Sequence, residues 1–294
     1  MNCAFNKRHP LFCFLFFIAV ILFSMFLMNP ICLVLSFLCA LINAIQMNDR
    51  KSVLGSLKFV LPTALLIMLI NPVINHAGVT ILGYLPWNNP LTLESVVYGI
   101  ASALMLSSVV FWFSSVHTVM TSDKWIYLFS RITPSLGLVF SMALRFVPRF
   151  HMEFKEARNA QKMLIRDSYG LVNQLRIALS VFSVMLSHSM EGAIETADSM
   201  KARGYGLKGR TAYANYRFSG LDGICAGIFF VLVSLLTILC ISGTANFRYF
   251  PAVKGGLFDI KTIIFYILYA ALMFIPFVIN TVEVIRWKRL QSVI

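Results

Sequence analysis

Arg203 is the residue of this chain whose position points most directly to chemistry between molecules. It sits in Ser199-Met200-Lys201-Ala202-Arg203-Gly204-Tyr205-Gly206, where an Ala-Arg-Gly tripeptide closes an amphipathic helix. An arginine at a helix end presents a planar fork of donors that can cap backbone carbonyls or pair with a carboxylate across an interface. Its charge also suits the negative end of its own helix. The adjoining Gly204-Tyr205-Gly206-Leu207-Lys208-Gly209 has the G-x-G-x-x-G spacing, and with Arg210-Thr211 it approaches a phosphate loop. Either motif needs a strand before it and a helix after it, so that backbone N–H groups converge on phosphate. Here a helix precedes and Tyr213-Ala214-Asn215-Tyr216 leads towards an apolar span, so no ATP site is assigned to the chain. His188 and Glu191 stand at i, i+3 without a third ligand, and His76 is a lone loop histidine. No catalytic, cofactor-binding or metal-ligating residue is assigned.

The elements that position Arg203 follow from composition. The chain has 294 residues, 59% of them hydrophobic and only 13% charged, with a net charge of +13. Its mean hydropathy of +0.79 lies well outside the soluble globular range. Six cysteines sit singly, mostly in apolar runs, with no C-x-x-C pair to indicate zinc or a disulfide framework. The fold class expected is an all-α membrane protein of about six transmembrane helices plus a cytoplasmic coupling domain of amphipathic helices.

Six stretches approach the roughly 20 residues that a bilayer requires: Leu11–Met28, Ile31–Met47, Phe59–Ile74, Ser95–Thr118, Leu221–Ile241 and Thr262–Ile285. Asn29-Pro30 turns the first two into a hairpin. The N-terminal apolar run is too long for a signal-peptide core, and Met28-Asn29-Pro30 is no small-residue cleavage site, so it reads as a retained span. Basic residues set the orientation. Outside the 119–220 segment, Lys7, Arg8, Arg50, Lys51, Lys58, Arg286, Lys288 and Arg289 fall on one side, against Arg248, Lys254 and Lys261 on the other. This places both termini in the cytoplasm of a multi-pass cell (inner or plasma) membrane protein.

The domains expected are residues 1–118 with transmembrane helices 1–4, residues 119–220 as the cytoplasmic coupling-helix domain, and residues 221–294 with helices 5–6. Within the middle segment, Asp123–Arg131, Pro134–Ile165 and Leu171–Ala202 read as helices, the last closed by Gly204. The apolar runs Leu136–Val147 and Ile177–Leu186 are each only about a dozen residues, cut by Arg145, Arg149 and Arg176. Such runs are expected to lie along the membrane face or under the spans rather than cross. The segment's basic excess fits anionic headgroups or an acidic protein groove. No aromatic-basic platform for nucleic acid is evident.

The residues Ala143-Leu144-Arg145-Phe146-Val147-Pro148, Glu153-Phe154, Ala160-Gln161-Lys162 and Ala197-Asp198-Ser199-Met200-Lys201-Ala202-Arg203-Gly204-Tyr205 resemble the transmembrane T component of energy-coupling factor (ECF) transporters, the CbiQ-like EcfT family. Asn71-Pro72, Asn75-His76 and Gly78-Val79-Thr80 add to that likeness. The resemblance implies a subunit that joins two ABC-type ATPase subunits to a small membrane S component, which captures a vitamin or metal ion. It also implies two coupling helices ending in an X-Arg-X tripeptide, the second falling on Ala202, Arg203 and Gly204. The first would fall on Met163, Leu164 and Ile165, where leucine replaces the arginine, with Lys162 and Arg166 beside it and Ala157-Arg158-Asn159 upstream. The function expected is thus a non-catalytic coupling subunit of an ATP-driven importer. A membrane-embedded enzyme would need convergent His, Asp or Glu residues inside the spans, and a self-sufficient secondary transporter would need matched broken helices in two halves. Neither pattern is present in the sequence.

Overall fold

The computed structural model describes residues 4–84, 90–164, 170–207, 216, 218–251, 256 and 259–291, without the side chains of residues 4, 131, 132, 134 and 164. Among them are nine α-helices: α1 Pro10–Phe26, α2 Pro30–Met47, α3 Arg50–Ile74, α4 Leu93–Val119, α5 Ser122–Ile132, α6 Pro134–Leu164, α7 Leu171–Ala202, α8 Gly220–Ile241 and α9 Ile260–Gln291. The protein is an all-α membrane protein. Two compact units are distinguishable, one made of Met1–Thr121 with Tyr216–Ile294 and the other of Ser122–Asn215.

Six of the helices are long and apolar enough to cross a bilayer: α2, α3, α4, α7, α8 and α9. Two members differ from the sequence-based set. α1 is 17 residues long, the lower end of what a bilayer needs. α7, expected to lie flat, qualifies by length and composition. The expectation counted only the uninterrupted run Ile177–Leu186. The helix continues the apolar stretch on both sides, with Arg176 as the one Lys, Arg, Asp or Glu between Leu171 and Ser189.

In the first unit, α4 packs against α1, α2 and α3, and α2 also packs against α9. Proline at the first position of both α1 and α2 suits helix starts that have no N–H partner to lose, and the Asn29 side chain caps α2 by accepting from Ile31 N–H. At the centre lies Trp112, fully buried and met edge-on by Phe16 and Phe17. Its indole N–H donates to Ser36 Oγ at 3.4 Å, and Ser36 shares a 2.7 Å hydrogen bond with Ser24, whose hydroxyl also reaches the Val20 carbonyl. Phe5, Phe12 and Phe229 extend the same aromatic cluster from the N-terminal turn to α8.

Side-chain bonds across long sequence separations close the unit. Phe5 N–H donates to Asn280 Oδ1, Tyr266 O–H to Asn29 Oδ1, Asn43 Nδ2 to the Met273 carbonyl, and Tyr249 O–H to the Met28 carbonyl. Burial, helped by nearby Tyr98, pushes the Tyr249 phenol up to about 12. The α3–α4 connection carries a short antiparallel pair, Ile81–Tyr84 (β1) with Pro90–Thr92 (β2). Buried Glu94 accepts from Thr80 Oγ1 at 2.7 Å and from Thr80 N–H. A Cβ on Gly78 would stand 2.6 Å from Glu94 Oε2 and 2.7 Å from Thr92 Oγ1, so this approach requires glycine.

In the second unit, α6 packs against both α5 and α7. Phe129 of α5 meets Phe140 of α6, while Ile177 and Val181 are the buried residues of α7. Glu153 of α6 pairs with Arg149 one turn earlier and lies 3.8 Å from His188 of α7. α7 ends in a backbone cap: Gly204 N–H bonds to the Lys201 carbonyl and Tyr205 N–H to the Met200 carbonyl, with Gly204 at φ +82°. This is the Schellman arrangement, and its left-handed residue suits glycine.

Two expected outcomes follow from this packing. Trp112→Ala should destabilise the protein by about 3–5 kcal/mol in a thermal melt in mild detergent, whereas Ile241→Ala, at a residue 87% exposed, should change it by less than about 0.5 kcal/mol. Gly204→Ala should cost about 1 kcal/mol, because its φ is positive and Leu207 Cδ1 would lie 3.0 Å from the new methyl. Gly192→Ala, in the middle of α7 with open space around it, should instead gain up to about 1 kcal/mol.

Candidate functional site

The site is the C-terminal end of α7. Residues 199–202 are helical because nothing in the last three turns, Glu191 to Ala202, breaks the helix except half-buried Gly192. The chain then needs partners for the last carbonyls. It finds them in its own backbone: Arg203 N–H reaches Ser199, Gly204 reaches Lys201, Tyr205 reaches Met200, and Leu207 N–H closes a further turn on Gly204. Gly206, also at positive φ (+98°), completes the reversal.

The consequence falls on Arg203. Of the two roles open to its guanidinium, capping carbonyls or pairing outwards, the first is already filled by N–H groups of the main chain. The side chain is exposed and forms no ion pair among the described residues. Ala202 beside it is exposed and short, Tyr205 is half-exposed and Leu207 is exposed. A free planar cation flanked by a small residue, a phenol and an aliphatic chain is chemically suited to a carboxylate set in a partly apolar groove. Asp198, the nearest acid along the helix, stands 4.0 Å from Lys201.

The end of α6 is different. Lys162 and Met163 are exposed, Met163 at 87%, while the Leu164 side chain, Ile165 and Arg166 lie outside the described residues. Lys162 does not stand alone. Phe154, Arg158 and Lys162 repeat at i, i+4, i+8 on one face of α6. With Gln174, Ile177, Ala178 and Val181 of α7 they line a groove of about 630 Å³. Arg158 and Lys162 are exposed and form no ion pair among the described residues. Arg158 was legible only as the centre of Ala157-Arg158-Asn159; the four-residue spacing to Lys162 is the signal that joins it to the groove.

The other sequence candidates are placed as follows. His188 faces Glu153 across the α6–α7 pair rather than Glu191 on its own helix. No group of three His, Cys, Asp or Glu able to hold a metal ion occurs among the described residues. α7 leads directly into Gly204 and Gly206 of the G-x-G-x-x-G spacing, where a phosphate site needs a strand, and Gly209 and Arg210 lie outside the described residues.

The family model described as cobalt transport protein, CbiQ, matches residues 5–213. That span includes α1 to α7 and the Ala-Arg-Gly end of α7. Among curated proteins, the chain is 31% identical over 158 residues to the energy-coupling factor transporter transmembrane protein EcfT of Lactobacillus helveticus (strain DPC 4571), covering 48% of this chain and 57% of that one. It is 33% identical over 107 residues to EcfT 1 of Listeria monocytogenes serotype 1/2a (strain 08-5578), and 34% identical over 107 residues to EcfT of Lacticaseibacillus paracasei; each alignment covers 35% of this chain and 40% of the relative. The chain therefore spans about half the length of the curated relatives it matches. Taken with the helical membrane fold, these matches show that the chain belongs to the CbiQ family, the EcfT-like transmembrane components of energy-coupling factor transporters.

Proposed function

We propose that this chain is the coupling subunit of an ATP-driven importer. It binds two ABC-type ATPase subunits through the ends of α6 and α7 and a small S component through its membrane-exposed helices, for uptake of a vitamin or metal ion. The single observation that carries the reading is the free guanidinium of Arg203 at a helix end where main-chain N–H groups take the Ser199, Met200 and Lys201 carbonyls. The EcfT names of the relatives support the kind of assembly. The bias of Lys and Arg between short loops supports the orientation, with both termini and the ends of α6 and α7 on the cytoplasmic side of the cell membrane.

In this reading Ala202, Arg203 and Gly204 engage one ATPase. Arg203 pairs with a carboxylate in a groove of that subunit, and the short Ala202 and Gly204 let the helix end approach closely. The second ATPase takes the end of α6. There the expected arginine is missing, and Arg158 and Lys162 supply the cations from one turn and the next on the groove side. The helices α6 and α7 then act as levers: ATP binding and hydrolysis move the ATPases, and the motion passes along about 30 residues of each helix. An exposed apolar stripe on α7, Leu175, Leu179, Phe182, Leu186 and Met190, gives the S component or lipid a surface to cover. The chain itself carries no chemistry. ATP is hydrolysed on the ATPases, and substrate is held by the S component.

Arg203→Glu should abolish co-purification of at least one ATPase while leaving the chain in the membrane, and Arg203→Lys should weaken it about tenfold, since the planar fork is lost but the charge is kept. Pull-down from membranes co-expressing both ATPases reads this directly. Undiminished assembly and uptake in Arg203→Glu would remove that residue from the interface.

A further inference from the structure

A second basic site lies in the transmembrane unit, where the start of α1, the start of α8 and the end of α9 meet. A cavity of about 470 Å³ there is lined by Lys7, Arg8, Asp222, Glu283, Arg286 and Trp287, with Leu221 and Leu290 at its edges. Its two carboxylates are engaged. Asp222, itself buried, holds Arg8 Nη1 with one oxygen at 3.3 Å and caps α8 with the other by accepting from Ser219 N–H. Glu283 lies 4.0 Å from Lys7. The donors are not used up. Among the described residues, buried Arg8 Nε has no hydrogen-bond partner and Arg286 has no ion-pair partner. A buried guanidinium N–H without an acceptor is costly to leave unmade, so the cavity is short of an anion.

The surroundings say which anion. Leu221 begins an apolar strip along α8, continued by Ile224, Ile228, Val231, Leu235 and Ile238 at three- and four-residue spacing, all at least 41% exposed. Trp287, half-exposed at the rim, is the residue type that favours the level of the headgroups. A phosphate placed in the cavity would therefore have acyl chains running down α8 within the hydrocarbon. We infer that this cavity binds the phosphate of an anionic phospholipid, with Arg8 Nε, Arg286 and Lys7 as donors and the α8 strip as the acyl-chain surface. A basic pocket between spanning helices is suited to such headgroups. A free inorganic phosphate would make no use of the strip.

The test is native mass spectrometry of the full chain, purified in mild detergent and offered phosphatidylglycerol or phosphatidylcholine of the same acyl chains. Phosphatidylglycerol should be retained preferentially as a single tight adduct. Arg286→Gln should cut its retention about tenfold. Lys288→Gln, which removes the same charge from a neighbouring position outside the cavity, should leave it unchanged. Arg286 is exposed, so the variant should melt with the wild type, and a melting curve on the same sample checks this. Equal loss in both variants would mean diffuse surface charge and overturn the site. So would absence of preference between the lipids, or displacement of the adduct by millimolar inorganic phosphate.

Discussion

Inside a bilayer no water takes up an unpaired amide, hydroxyl or indole N–H, and a polar group left without a partner in the protein costs free energy. That constraint organises the transmembrane unit. Between helices that are otherwise apolar, polar side chains find partners in the protein: Trp112 with Ser36 and Ser36 with Ser24, Asn43 with the Met273 carbonyl, Tyr266 with Asn29, Asn280 with the Phe5 amide. Apart from Ser24–Ser36, these bonds join parts of the chain far apart in sequence. Burial in lipid gives little preference for one helix neighbour over another, since lipid tails are as apolar as leucine. The directional bonds therefore fix which helices touch, and close packing around Trp112 fills what lies between.

The same demand for satisfied backbone shapes the end of α7. A helix that stops in solvent leaves carbonyls to be answered by water, side chains or main chain. Two glycines at positive φ let the main chain answer, so the arginine between Ala202 and Gly204 is released from local duty. At α6 the arrangement is reversed. The tripeptide at the helix end lacks its arginine, and cations appear instead on the flank, at Arg158 and Lys162. The ends of α6 and α7 are therefore chemically different surfaces, and under the proposed function two ATPases would be held by unlike contacts.

Helix positions in the middle of the chain were legible because strong local signals bound them: Pro134 starts α6, and Gly204 lies just past the end of α7. The β1–β2 pair was not legible. Its strands are four and three residues long, and they are held by what happens around them, chiefly the Thr80–Glu94 clasp and the close approach at Gly78. Nor was the length of the apolar stretch in α7, because a run interrupted once by Arg176 was read as ended. The tripeptide at 202–204 stood out in sequence as a motif, but that its arginine is free depends on backbone bonds that no residue type announces. The basic cavity of the transmembrane unit was invisible for a related reason. Lys7, Arg8, Asp222, Glu283 and Arg286 come from three separate stretches that only the folded bundle brings together.

The central claim is that this chain is the membrane hub of an ATP-driven complex. The most direct measurement is the mass and stoichiometry of the assembly purified through a tag on this chain from its native membrane in mild detergent. The account predicts one copy of the chain with two ATPase subunits and one small hydrophobic membrane protein, in a complex that hydrolyses ATP. A chain that purifies alone, from membranes in which the ATPases are present and intact, would contradict it.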